Sequence, residues 1–249
     1  MAVMTRGEIS IYYETKGKGF PLLLIAPGGM TSVISFWSRS PFNPMEIFSQ
    51  DYWTIAMDQR NTGKSSGPLN MDDPWGMYVD DQLELMNNMG AEKFFVLGCC
   101  IGCSFALKLC ERAPDRVVAA VLEQPIGVDD KNRHELAENL SHRWVKEYAE
   151  KNPKADQAQA KAFAMKMCGG DDFVLSVTRD FVKSCKTPLL VMPGDSLDHP
   201  RQTAEDIRAL APNVEWINQW RYPSTATPPA VRAIKRFLKA HVPDRSTWE

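Results

Sequence analysis

Short apolar runs recur along the chain, separated by stretches with helical spacing. The runs are "FPLLLIAPGG", "YWTIAMD", "KFFVLG", "VVAAVLEQPIG", "TPLLVMPGD" and "VEWINQW". This alternation marks an α/β protein with a mostly parallel central sheet flanked by helices. Parallel neighbours need a crossover, and strands covered on both faces read as continuous apolar segments. An earlier stretch, "ISIYYETKGKG", alternates polar and apolar residues and reads as an opening hairpin strand. Helices are expected from about Trp75 to Met89, from just beyond "KFFVLG" to about Arg112, and over "PPAVRAIKRFLKAH", which has proline in its first turn.

Residues 129–185 break the alternation with polar, helix-prone segments, "HELAENLSHRWVKEYAEK" and "ADQAQAKAFAMKM". They form either an elaborated crossover or a small helical cap over the carboxyl ends of the strands. The length favours a cap, because a βα connection needs far fewer residues. A chain of 249 residues can bury a sizeable core. Residues 1–128 and 186–249 are therefore expected to make one domain, with 129–185 as its insertion.

One junction carries chemistry. Residues 94–110, "FFVLGCCIGCSFALKLC", run from an apolar strand through Gly98-Cys99-Cys100-Ile101-Gly102 into a helix. A nucleophile flanked two residues away on each side by glycine is the pattern of a nucleophile elbow. Its central residue takes strained backbone angles, and the glycines leave room for a close approach. Cys100 holds that centre, at a helix N-terminus whose free N–H groups favour a thiolate. Cys99 and Cys103 read as packing residues, since a buried thiol behaves as a small hydrophobe. Cys110, Cys168 and Cys185 read as structural. Cys100 and Cys103 make a Cys-x-x-Cys pair, but no second cysteine or histidine cluster lies near it, so no metal is expected.

With its strand–turn–helix context, this motif resembles the α/β-hydrolase superfamily, with Cys in place of the commoner Ser, as in the dienelactone-hydrolase branch. The likeness runs over nearly the whole chain in the order of strands, loops and inserted helices. "LLLIAPGGM" stands where such enzymes carry an oxyanion-hole loop. "MDQRNTGKSSGP" resembles the family's Asp-x-Arg-Gly-x-Gly-x-Ser loop, with Asn61 and Thr62 where small residues are usual. The chain is also similar to bacterial members with an Asp-Gln-Arg-Asn-Ala-Gly loop and a Gly-Cys-Ile-Gly elbow. The resemblance implies an oxyanion hole made by the backbone N–H groups of Gly29 and Ile101. Met30, Trp37, Trp75, Glu123 and Trp144 are the candidate substrate-binding residues, and the aromatic ones read equally as core.

The resemblance also implies a histidine in the loop after the last strand. That loop, "RYPSTATPPAV", contains none. The four histidines are His134, His142, His199 and His241. His241 suits the C-terminus of the last helix. His134 and His142 fall in the insertion, where exposure is the default. His199 follows "PLLVMPGDSLD", whose trailing loop supplies the acid in this family. Two readings stand. Either His199 serves the thiol as base with Asp195 or Asp198 orienting it, or Asp198, His199 and Pro200 merely start the helix "RQTAEDIRAL". Asp195 is the preferred acid because it lies nearer the strand end. Glu123, closing the apolar run "AAVLE", is either functional or paired with an arginine, because a buried carboxylate is costly otherwise.

Composition narrows the remaining classes. A formal charge of -2 gives no electrostatic ground for nucleic-acid or anionic-membrane partners. No apolar run approaches the ~18 residues that span a bilayer, and "MAVMTRGEIS" meets charges too early for a secretory signal. Six cysteines, three of them within residues 99–103, are no disulfide framework and point to a reducing cytoplasm. Neither a Walker loop nor a Gly-x-Gly-x-x-Gly after the first strand is present, so no cofactor is expected. The expected function is hydrolysis of a small ester, lactone or thioester by Cys100. The expected partner is a small apolar or cyclic substrate, with a homodimer left open. A non-hydrolytic alternative stands beside it: a ligand-binding protein, as in the gibberellin receptor, or a lyase, isomerase or cyclase. Fold alone does not fix chemistry.

Overall fold

The computed structural model describes residues 2–133, 135–170 and 172–244; His134 lies outside the described residues. The strands are β1 (Ala2–Arg6), β2 (Ile9–Lys16), β3 (Pro21–Ile25), β4 (Trp53–Met57), β5 (Phe94–Cys99), β6 (Val117–Glu123), β7 (Leu189–Met192) and β8 (Val214–Trp216). They form one sheet in the order β1-β2-β4-β3-β5-β6-β7-β8. The pairs β1–β2 and β2–β4 are antiparallel and the rest parallel. Every residue of β3, β5 and β7 is buried, which is why these segments are unbroken apolar runs. The partner completing the opening hairpin is β1, "AVMTR", joined to β2 through Gly7 at φ 57°.

Strand β8 is shorter than "VEWINQW" suggests. It stops at Trp216, because the chain turns so that the buried Trp220 indole donates to the Pro193 carbonyl at 2.9 Å.

The helices are α1 (Pro44–Phe48), α2 (Pro74–Asn88), α3 (Ile101–Arg112), α4 (Leu136–Lys151), α5 (Gln157–Cys168), α6 (Arg179–Ser184), α7 (Arg201–Leu210) and α8 (Thr227–Ala240). Asp73 caps α2 by accepting from the Gly76 N–H at 2.8 Å, and a proline fills the first turn. Asp156 caps α5 in the same way. The inserted residues supply α4, α5 and α6 between β6 and β7.

Two tryptophans expected at the substrate hold the inserted helices together and to α2 instead. Trp144 of α4 is fully buried, stacked on Tyr148 at 5.0 Å and packed on Phe163 of α5 at 5.4 Å. The Trp75 indole donates to the Met167 carbonyl at 2.9 Å, linking α2 to α5. Met30 and Trp37, from the loop after β3, are likewise buried in the core. Among the described residues no helix is long and apolar enough to cross a membrane.

Candidate active site

The site begins at the end of β5. Cys100 has φ 59° and ψ -119°, and α3 starts at the next residue. The flanking glycines are dictated by space. A Cβ on Gly98 would lie 2.1 Å from the Gly102 carbonyl oxygen, and one on Gly102 would lie 2.3 Å from that of Ile25. The Cys100 N–H donates to the Glu123 carbonyl at 3.0 Å, fastening the bend to the end of β6. Cys100 is only 7% exposed, yet its side chain reaches a cavity of about 320 Å³.

The loop after β3 approaches from one side. Gly28 and Gly29 have φ 125° and 58°, which side-chain-bearing residues rarely adopt. Both glycines line the same cavity as Cys100, and their amides help to hold its thiol down. Ile101, the first residue of α3, has an N–H with no intrahelical acceptor. Gly29, the expected donor, thus lines the cavity at Cys100 together with Gly28.

The Asp58–Pro68 loop buttresses this arrangement. The buried Asp58 carboxylate accepts from the Ile34 and Lys64 N–H groups, each at 2.9 Å. The Thr62 hydroxyl donates to the Ser32 carbonyl at 2.9 Å. Asn61 sits at φ 63°, a conformation that asparagine tolerates, and its side-chain oxygen accepts from the Gly67 N–H.

His199 comes from the opposite side, on the loop between β7 and α7. It does not cap α7, whose N-cap is Pro200 without a side-chain bond. Gly194 makes the packing possible, since a Cβ there would lie 2.4 Å from that of His199. His199 Nδ1 is 2.8 Å from the Ser196 hydroxyl. Nε2 is buried without a hydrogen bond of ordinary geometry, and the group it interacts with is the Cys100 thiol. Such looseness is common before a substrate tightens the site.

Burial pushes the Cys100 thiol up, but the His199 imidazole and the Gly28 and Gly29 amides outweigh it and hold the thiol below its usual value. Burial likewise pushes His199 down, while Cys100 and Asp198 outweigh burial and raise it; Arg221 acts in the opposite direction. Both shifts favour a thiolate–imidazolium pair.

The carboxylates are arranged differently from expectation. Asp195 is exposed and pairs with Arg221, so it does not orient His199. The reason is direction: Asp195 points outward from the β7 loop, and Ser196 takes the place beside the imidazole. Glu123 is buried at the end of β6 without an arginine, one of its oxygens unpartnered, and burial pushes its carboxyl up to about 8. It lies behind the elbow, where its charge acts on Cys99 and Cys103, and it does not line the cavity. Met30, Trp37, Trp75 and Trp144 are absent from that lining too. The residues in their place are Gln124, Ile126, Asn139, Leu140 and Arg143. Ser196 and Asn139 lack a marker in the sequence; the Ser-x-x-His spacing was the one available hint. His142 is exposed on α4, and the His241 ring lies near the Phe237 carbonyl. Among the described residues no group of three or more His, Cys, Asp or Glu could hold a metal ion.

The sequence profile of the α/β hydrolase fold family matches residues 21–187. A candidate carbamate hydrolase, RutD, of Azorhizobium caulinodans is 30% identical over 114 residues, which are 45% of this chain. The match spans 39% of that relative's length. The solved structure of the meta-cleavage product hydrolase CumD from Pseudomonas fluorescens IP01 is similar with a TM-score of 0.70 at 17% identity, over 96% of this chain and 98% of that one. The enol-lactonase from Burkholderia xenovorans LB400 gives 0.66 at 16% identity, over 96% and 100%. The structural likenesses concern the fold alone. With the profile covering more than half of its length and the sheet order to match, the chain belongs to the α/β hydrolase fold family.

Proposed function

We propose that this protein hydrolyses a small acyl compound, a thioester, lactone or reactive ester, through a covalent intermediate on Cys100. The observation that carries the reading is the placement of Cys100 on a left-handed elbow, open to a cavity, with the unpartnered His199 Nε2 beside it. The names of two relatives, a carbamate hydrolase and an enol-lactonase, share a carbonyl carbon bonded to a heteroatom.

The Cys100 thiolate attacks the carbonyl carbon, and the carbonyl electron pair moves onto oxygen. The N–H groups of Gly29 and Ile101 receive that oxyanion; losing one such donor typically slows a reaction about 10²–10³-fold. Collapse expels the leaving group, which takes the proton from His199 Nε2. Neutral His199 then removes a proton from water, which attacks the acyl-thioester. The acid leaves, and the thiolate faces the imidazolium again. A thiolate is a strong nucleophile without a strong base, so a serine hydroxyl suffices behind the imidazole where a serine enzyme would use a carboxylate. Thioester and lactone leaving groups need little protonation, which suits the same site. Residues 129–185 serve as the cap, since Asn139, Leu140 and Arg143 of α4 form one wall of the cavity.

A panel of acyl-thioesters and p-nitrophenyl esters tests this reading. Cys100→Ala is expected to abolish turnover, and His199→Gln to lower it by about 10²–10⁴. Intact mass after rapid quench is expected to show the acyl adduct on the wild type. Turnover that survives Cys100→Ala would defeat the mechanism. Ligand binding with no turnover by the wild type would favour a receptor.

A further inference from the structure

A second cavity, of about 440 Å³, opens beside the first and shares Pro27, Gly28, Gln124 and Arg143 with it. Three of its lining residues are arginines: Arg39, Arg143 and Arg221. None of its lining residues is a carboxylate. They come from the loop after β3, from α4 and from the loop after β8, so three distant segments deliver like charges to one wall. That is notable in a chain whose net charge is -2. Arg39 and Arg143 lie over the Phe36 ring, at 4.9 and 5.2 Å from its centroid.

The carboxylates that two of them already meet are exposed, so an incoming anion can compete for the guanidinium groups. Arg143 pairs with Glu147 on the same helix, both half exposed, a kind of pair that is weak in water. Arg221 donates to Asp195 and to the Gln124 side-chain oxygen. Gln124 is itself held at φ 44° immediately after β6 and lines both cavities, so it fixes the guanidinium next to the elbow. Glu147 and Asp195 offset two of the three guanidinium charges from outside the lining, and a carboxylate in the recess would compete with these exposed partners. Guanidinium is the side chain best shaped to take a carboxylate through two parallel hydrogen bonds.

We propose that this recess is an anion-binding antechamber, and that the substrate carries a carboxylate separated by a short linker from the scissile carbonyl, with Arg143 and Arg221 as specificity residues. The inference rests on Cys100 being the nucleophile, and it adds a charged group to the small apolar or cyclic substrate expected from the sequence. The carboxylate lies in the arginine-lined recess while the carbonyl reaches past Gly28 to the sulfur.

Two alkylating reagents of nearly equal size test it without requiring turnover. Cys100 is alkylated by iodoacetamide, which is neutral, and by iodoacetate, an anion, with labelling of that residue followed by peptide mass spectrometry. In each case the thiolate displaces iodide and forms a C–S bond. The iodoacetate-to-iodoacetamide rate ratio is expected to exceed that of a small-molecule thiol of similar acidity. It is expected to fall about fivefold to tenfold in Arg143→Gln and Arg221→Gln, and to decline in about 0.5 M NaCl. Arg112→Gln, which removes an arginine from the far end of α3, is expected to leave the ratio unchanged. A ratio no higher than that of the free thiol, or one indifferent to Arg143→Gln and Arg221→Gln, overturns the antechamber while leaving the thiol chemistry standing. If neither reagent labels Cys100, the nucleophile reading falls and with it the proposal's premise; calorimetric titration with monomethyl glutarate then decides the recess alone. Binding weakened in both arginine variants supports the anion site, and absent or unchanged binding overturns it.

Discussion

The side-chain nitrogen of Asn132 donates to the carbonyl oxygen of Leu197 at 2.7 Å, two residues before His199. The same nitrogen donates to the Gly127 carbonyl at 2.8 Å, so one buried amide clamps the loop after β6 to the loop after β7. Replacing Asn132 by Ala leaves two carbonyls without this donor. A stability loss of about 1–3 kcal/mol is expected, together with a fall in kcat of about 10²-fold because the imidazole loses its aim. Denaturant unfolding and steady-state kinetics on the same sample check both. A stable variant with full kcat would show that the clamp plays no part in positioning His199.

The Ser196 hydroxyl, and not Asp195, meets His199 Nδ1. Ser196→Ala is expected to lower kcat about tenfold, in the range seen when the orienting partner of a functional histidine is lost. Asp195→Asn is expected to have the smaller effect on kcat. A larger loss for Asp195→Asn would restore the carboxylate to the role that the sequence suggested.

Glu123 makes stability depend on pH. Its folded value of about 8 lies above the ordinary 4.5, because burial disfavours the charged form. Its contribution is therefore fully present below about 4.5 and is lost as the pH rises through about 8. The full span corresponds to a loss on the order of 4–5 kcal/mol. Glu123→Gln is expected to flatten the decline in Tm between these limits and to be more stable than the wild type at pH 8. Equal slopes for the two proteins would place the titration elsewhere.

Gly98 has no room for a methyl group, with the Gly102 carbonyl oxygen 2.1 Å from where it would lie. Gly98→Ala is expected to cost about 3 kcal/mol or more and to spoil the elbow. Gly90→Ala serves as the comparison: its φ is 69° but nothing lies within 4 Å, so a cost of about 1 kcal/mol is expected. Thermal unfolding of the two variants separates collision from backbone strain.

The fold is legible in the sequence because buried parallel strands leave unbroken apolar runs and the elbow leaves a local motif. Gly98, Cys100 and Gly102 lie within five consecutive residues, and their spacing alone carries the turn. The rest of the site is built by contacts between distant segments. Ser196 is hard to pick out because Ser-x-x-His is a weak pattern, and nearby Asp195 and Asp198 draw attention from it. The tryptophans mislead for a related reason: Trp75 and Trp144 look like pocket walls, yet a large ring is equally useful for fastening α4 and α5 to α2. Arg39, Arg143 and Arg221 are separated by long stretches of chain, and only the folded sheet brings them to one recess.

His199 approaches Cys100 from the β7 side, so the proposed mechanism asks no proton transfer of the segment after β8. A guanidinium stands there instead, flanked by Trp220 and Tyr222. On the proposed mechanism, proton transfer belongs to the loop after β7, and the segment after β8 shares the selection of substrate with α4. Exchanging residues 218–227 is a route to a new diet of substrates, with the Arg221 charge near His199 as the one feature to keep.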